Sequence, residues 1–96
     1  MAVLIGVDQL PAREGDPYDA AYANAAALHK AGVRFAIVTD DASNSRNLPF
    51  EAAMAHAFGL PREAAIRAIT LSPAEIFGVG ASLGSIEVGK AATLIL

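Results

Sequence analysis

The sequence predicts a parallel α/β fold from three features in order: a short apolar run, an alanine-rich helical stretch, and a second apolar run that opens directly into a polar segment. Residues Ala2 to Val7 are apolar and mostly β-branched or aliphatic, and they give way to a polar, proline-bearing stretch from Asp8 to Pro17. That is the pattern of a buried strand feeding a loop. From about Tyr18 to Lys30 the chain is rich in alanine, the strongest helix former, and Gly32 follows where a left-handed cap would end the helix. Val33 to Val38, interrupted only by Arg34, has the near-continuous apolar character of a strand covered on both faces. Antiparallel neighbours would need only a tight turn, so a helix between the two strands points to a right-handed crossover joining parallel strands.

After Thr39 the segment DDASNSRN has the composition of a loop leaving the carboxyl end of a strand, where α/β folds place their functional loops. The remainder reads as helical. Pro49 suits a first helical position, and Phe50, Ala53, Met54, Ala57 and Phe58 recur at helical spacing before Gly59, a stripe expected to pack into the core. Pro61 opens another set of turns through about Ile69. Ser72 and Glu75, with Pro73 between them, have the spacing of a capping box, and Leu71 and Ile76 flank it as a hydrophobic staple would. Gly78 ends this short helix, Gly84 and Gly89 punctuate a turn-rich stretch, and ATLIL reads as a final strand. There is no internal repeat or low-complexity tract.

The bulk numbers bound the function. A chain of 96 residues suits a single small domain. It is 54% hydrophobic and only 18% charged, against about 25% charged in ordinary soluble domains, so some apolar surface is expected to need a cover. That cover is either self-association or the missing parts of a larger protein, and the second is the preferred expectation. Seven basic and 10 acidic residues give a net charge of -3, with no Lys/Arg run to neutralise a phosphate backbone, which argues against a nucleic-acid partner. Without cysteine there is no disulfide and no thiolate metal site. The opening MAVLIGVDQL lacks a basic leader region and its apolar run stops at Asp8, so neither a signal peptide nor a membrane span is expected there, and the compartment stays open.

The ordered stretches AGVRFAIVTDD, RNLPFEAAMAHAFGLPREAAIRAITLSPAEIFGV and LGSIEVGKAATLIL resemble the C-terminal region of the amidohydrolase superfamily, near its imidazolonepropionase-like members. The most specific part is ITLSPAEIFGV followed by LGSIEVGKAATLIL. The resemblance implies a TIM barrel joined to a small β-sandwich, and hydrolysis of C–N bonds with one or two divalent metal ions, zinc foremost. On that reading residues 1–79 form the C-terminal part of the barrel, its last two strand and helix units with parallel strands, and 80–96 form the exit into the sandwich with its first strand. The chain is then expected to be a C-terminal fragment, ending inside that strand. Its substrate would be a small-molecule amide.

The resemblance also implies that the aspartate at the carboxyl end of the eighth barrel strand is a metal ligand and the base for the attacking water. The matching residue is Asp40, after Thr39. The chemistry suits a carboxylate, which can coordinate a divalent cation and take a proton from water whose pKa the cation has lowered to about 7. The His-x-His pair, the bridging lysine or glutamate and the histidines of the fifth and sixth strands have no counterpart in this sequence. One carboxylate falls short of the roughly three protein ligands a catalytic metal needs, so the chain alone is expected to be inactive and to hold no metal tightly.

Local spacing alone would allow Asp40 to be a turn-capping aspartate, and Asp41 beside it leaves open which carboxylate faces inward. Ser43, Asn44, Arg46 and Asn47 could line a pocket but are read mainly as loop-shaping and helix-capping residues, while Asp16 and Asp19 are weaker candidates for substrate contact. His29, near a helix end, and His56, on the helix after the second strand, are read as surface residues, and Lys90 beside Gly89 as a solvated turn lysine. A noncatalytic small α/β domain for binding or self-association is the alternative. A phosphate-handling domain is a third, weakened by the lack of a glycine-rich loop.

Overall fold

The computed structural model describes residues 2–6, 20–39 and 42–93. Strand β1 (Ala2–Ile5) and strand β2 (Arg34–Ile37) pair in parallel, with Ala2 opposite Arg34 and Ile5 opposite Ile37. One further bond, from the Val38 amide to the Ile5 carbonyl at 2.9 Å, carries the pairing past the end of β2. Helix α1 (Ala20–Lys30) lies between the two strands in the chain and packs on β2. The expected strand, helix and parallel strand are all present. The expected loop at 8–17 lies outside the described residues.

Phe35, Ala36 and Ile37 are all buried, so β2 is covered on both faces, as parallel strands require. In β1 only Ile5 is buried, and Leu4 is 48% exposed. The better-covered strand is therefore the one that leads toward Thr39.

The connection after β2 differs from expectation. Rather than an irregular loop, residues Ala42–Asn47 form a 3-10 helix that runs straight into helix α2 (Leu48–Ala57). Serine and asparagine side chains compete for local backbone groups and favour short, tight turns over α-helix, which accounts for the tighter winding here. Helices α3 (Arg62–Ala68) and α4 (Leu71–Ile76) follow, each short and each packed on β2. Among the described residues no helix is long and apolar enough to cross a membrane.

Three helices end in the same device. At the ends of α1, α2 and α4, the amides of Gly32, Gly59 and Gly78 donate to the carbonyls of His29, His56 and Glu75. The following residues, Val33, Leu60 and Val79, reach back to Leu28, Ala55 and Ala74. This paired pattern is the Schellman motif, which satisfies carbonyls a helix end would otherwise leave open. At Gly59, φ is +112 and an added Cβ would already sit 3.5 Å from the Ala26 Cβ, so a side chain would meet both strain and a neighbour. The reversal turns Leu60 inward, where it is 1% exposed and is the largest fully buried side chain among the described residues.

The core gathers Ile5, Phe35, Ile37 and Leu60 with alanines 25, 52, 55, 65 and 68. Alanine lets the helices approach closely but buries little apolar area per residue, so the few large side chains carry most of the hydrophobic stabilisation.

The α2 stripe is where the structure corrects the sequence reading. Phe50 is 69% exposed and Met54 40%, Ala53 and Ala57 are exposed, and the buried face is instead Glu51, Ala52 and Ala55. The small residues face the sheet because only they allow α2 to sit close to α1 and β2. The large ones point away.

The capping box is absent too. Helix α4 starts at Leu71 after Thr70, with no side-chain cap, which places Ser72 inside the first turn. Glu75 instead pairs with Arg67 on α3 at 2.6 Å, and the Thr70 hydroxyl donates to the Ile66 carbonyl at 2.7 Å.

Beyond Gly78 the chain winds over α4. Gly84 sits where a Cβ would come within 2.8 Å of the Ala74 Cβ and 3.0 Å of the Thr70 carbonyl oxygen, so only glycine allows this approach. Residues 91–93 have no regular structure, and the rest of the expected final strand lies outside the described residues.

Because the core has so few large side chains, Leu60→Ala should cost about 2–5 kcal/mol, the range for truncating a buried leucine. Urea unfolding of the two proteins measures it. A loss below about 1 kcal/mol would show that Leu60 is not the anchor its burial implies.

Candidate functional site

The carboxyl end of β2 is where this topology can present chemistry, because the strand is covered on both faces and the chain leaves it through Val38 and Thr39 into a polar segment. Asp40 and Asp41 lie outside the described residues. They are flanked by Thr39 on one side and on the other by the 3-10 helix Ala42–Asn47, with exposed Ser45 and Arg46 and half-buried Asn47. Thr39, Ser45 and Asn47 are each engaged in an interaction.

Neither histidine sits at this edge. His29 is exposed near the end of α1. His56 is on the exposed side of α2, donating from Nδ1 to the Leu60 carbonyl at 2.8 Å, so it helps close the turn after the helix. Both agree with the sequence reading. Among the described residues no three His, Cys, Asp or Glu side chains come together as a metal would require, so the described residues do not fit a complete metal centre.

A polar cleft lies at the other end of β2. It has a volume of about 260 Å³ and is lined by His29, Arg34, Arg67, Ser72 and Glu75, of which Arg67 and Glu75 are paired with each other. Its position at the start of the strand separates it from the polar connection after Thr39.

Two groups escaped the sequence reading. Glu51 is buried in the first turns of α2, at 4% exposure. The sequence carried only a partial signal: Leu48, Ala52 and Ala55 form an apolar face at helical spacing, and Glu51 borders it. The second is a ring of contacts in the turn after α4. Lys90 Nζ donates to Ser85 Oγ at 2.7 Å and pairs with Glu87 Oε2 at 2.7 Å, while the Ser85 hydroxyl donates to the same Glu87 oxygen. The Lys90 side chain is 11% exposed, which corrects the expectation of a solvated turn lysine. Its ammonium is held by two partners.

Residues 10–96 match the model of the amidohydrolase family. The chain belongs to the amidohydrolase family. A solved structure agrees: the crystal structure of an amidohydrolase from Thermotoga maritima MSB8 is similar, at 33% sequence identity and a TM-score of 0.70. That match covers 74% of this chain and 19% of the Thermotoga chain, so this amidohydrolase sequence spans about a fifth of its structural relative. The comparison with curated proteins returns no match. The mixed α/β arrangement, with two parallel strands and packed helices, is thus that of an amidohydrolase segment, and members of the family are generally metal-dependent.

The Glu87 carboxyl is held below the usual carboxylate range, first by its hydrogen bond from Lys90, then by that from Ser85, and also by the Lys90 charge. A depressed carboxyl adds stability above its unfolded value and loses it as pH falls through the lower folded value. Exposure keeps that contribution small. Lys90→Met should move the Glu87 titration up toward the ordinary range, which NMR of the side-chain carboxyl reads directly. An unchanged titration would mean that Lys90 is not what holds it down.

Proposed function

We propose that this chain supplies Asp40, a metal-binding and proton-accepting carboxylate, to the active site of a metal-dependent amidohydrolase of the imidazolonepropionase-like group. In this reading residues 1–79 are the last two strand and helix units of a TIM barrel, and 80–96 lead into its small β-sandwich. The reaction is hydrolysis of a C–N bond in a small molecule, whether a cyclic amide, an amide or a dipeptide-like bond. The remaining metal ligands come from outside these 96 residues. The metal, zinc foremost, would act as a Lewis acid on water and substrate.

The observation that carries this reading is the parallel pair in a chain of the amidohydrolase family, with the polar connection leaving from the carboxyl end of β2 directly after Thr39. In barrels of parallel strands, catalytic side chains stand at that edge. Exposed Leu4, Phe50 and Met54 support it from another direction, since they give β1 and α2 an apolar surface of the kind that further barrel elements would cover.

The same exposed surface, with Phe77, Ile86 and Val88 added, favours a second reading, a noncatalytic domain that associates with itself. Light scattering of the purified chain separates the two. A discrete dimer supports the second, open-ended association supports the first, and a compact monomer at all concentrations argues against both.

For the enzyme reading itself, calorimetric titration with zinc should show no stoichiometric tight binding, because one carboxylate cannot replace about three ligands. A tight 1:1 isotherm would overturn the claim that the centre is completed from elsewhere.

A further inference from the structure

Arg34 opens β2, and among the described residues no ion pair or side-chain hydrogen bond engages its guanidinium. It lines the cleft at the amino end of the strand, about 260 Å³ in volume, which α1, α3 and α4 border where they pack on β2. The lining combines two kinds of surface. Phe35, Ala64 and Ala68 are apolar, and Phe35 and Ala68 are buried. His29, Arg34, Arg67 and Ser72 bring hydrogen-bond donors to the same cleft, with one carboxylate, Glu75, among them.

Charge decides what this cleft can take. Two guanidinium groups against one carboxylate leave a single positive charge with His29 neutral, so one negative charge balances the cleft and two overshoot it. The Arg67–Glu75 pair at 2.6 Å engages one Arg67 nitrogen, which orders that side chain and leaves the rest of its five N–H donors. Arg34 keeps its whole fork, whose parallel donors match the two oxygens of a carboxylate. The half-buried Ser72 hydroxyl, which makes no hydrogen bond among the described residues, adds a further donor. The apolar side chains beside these donors suit a short hydrocarbon body. The volume lies below the range of about 300 Å³ and more that takes drug-sized molecules, so that body is limited to a few carbons.

We propose that this cleft binds a small organic monocarboxylate, with the carboxylate held by Arg34, Arg67 and Ser72 and the apolar body against Phe35, Ala64 and Ala68. Phosphate offers the same oxygen geometry, but as a dianion it overshoots the charge, and it has no apolar part to set against Phe35. The site is built from the cleft's own residues and does not depend on the reading of Asp40.

Saturation-transfer NMR of butyrate with the full 96-residue chain tests it, because the signal is read on the ligand and survives association of the chain. Butyrate should bind saturably with a Kd on the order of 1–10 mM, as suits a ligand of so few atoms. Arg34→Met should weaken binding about tenfold or more, the effect of losing one charge-assisted pair. Arg34→Lys, which keeps the charge but not the fork, should fall between the two. Lys30→Met removes an exposed cation outside the cleft and should bind as the wild type does. At equal, saturating concentrations, inorganic phosphate should displace less than half of the butyrate. The absence of saturable transfer overturns the proposal. So does wild-type binding in Arg34→Met, or an equal loss in Lys30→Met, which would mark unspecific attraction to positive surface. Displacement of more than half by phosphate overturns the carboxylate class. Should Arg34→Met fail to fold, Arg34→Lys decides: wild-type affinity there contradicts recognition by the fork.

Discussion

Parallel pairing of β1 with β2 is the constraint on which the rest of this chain depends. Strands running the same way cannot be joined by a turn, so α1 must cross over between them, and both carboxyl ends must then lie at one edge. The polar connection after Thr39 therefore leaves from that edge whatever its sequence. The helices that follow return along β2 and cover it, which accounts for the burial of Phe35, Ala36 and Ile37 together. An antiparallel pair would scatter these features to opposite ends.

Alanine is the second determinant. Ala25, Ala52 and Ala55 let α1 and α2 approach each other closely, and Ala65 and Ala68 do the same for α3. Close approach leaves no room for large side chains on those faces, so Phe50 and Met54 stand outward, and the hydrophobic load falls on Ile5, Phe35, Ile37 and Leu60. A segment with a thin core and an apolar exterior is physically coherent as part of a larger amidohydrolase, in which neighbouring elements cover what it leaves bare. The Thermotoga amidohydrolase, of which this chain matches 19%, has the remaining mass for such elements.

Much of this was legible in the residues. The strand, helix and parallel strand followed from apolar runs and their spacing, and Gly32, Gly59 and Gly78 marked three helix ends where Schellman motifs now stand. The amidohydrolase family was legible in the ordered C-terminal motifs. What the pattern misjudged was direction. Helical periodicity identifies a face but not which face turns inward, and on α2 the small residues won because interhelical distance, not side-chain hydrophobicity, set the packing. The capping box failed for a similar reason: Ser72 and Glu75 have the right spacing, but Arg67 on the preceding helix offers Glu75 a charged partner, and the helix starts at Leu71. Lys90 looked solvated because its partners, Ser85 and Glu87, meet it only through the turn geometry set by Gly89. Glu51 was hidden because a glutamate in a first helical turn ordinarily faces water.

The proposed function needs Asp40 to belong to an active site whose other ligands lie outside these 96 residues. The coding sequence immediately upstream of Met1 tests this most directly. The account predicts an open reading frame that continues into Met1 and encodes earlier barrel strands, among them one bearing a His-x-His pair. A stop codon and an independent promoter directly before Met1, with no such strand encoded nearby, would contradict it.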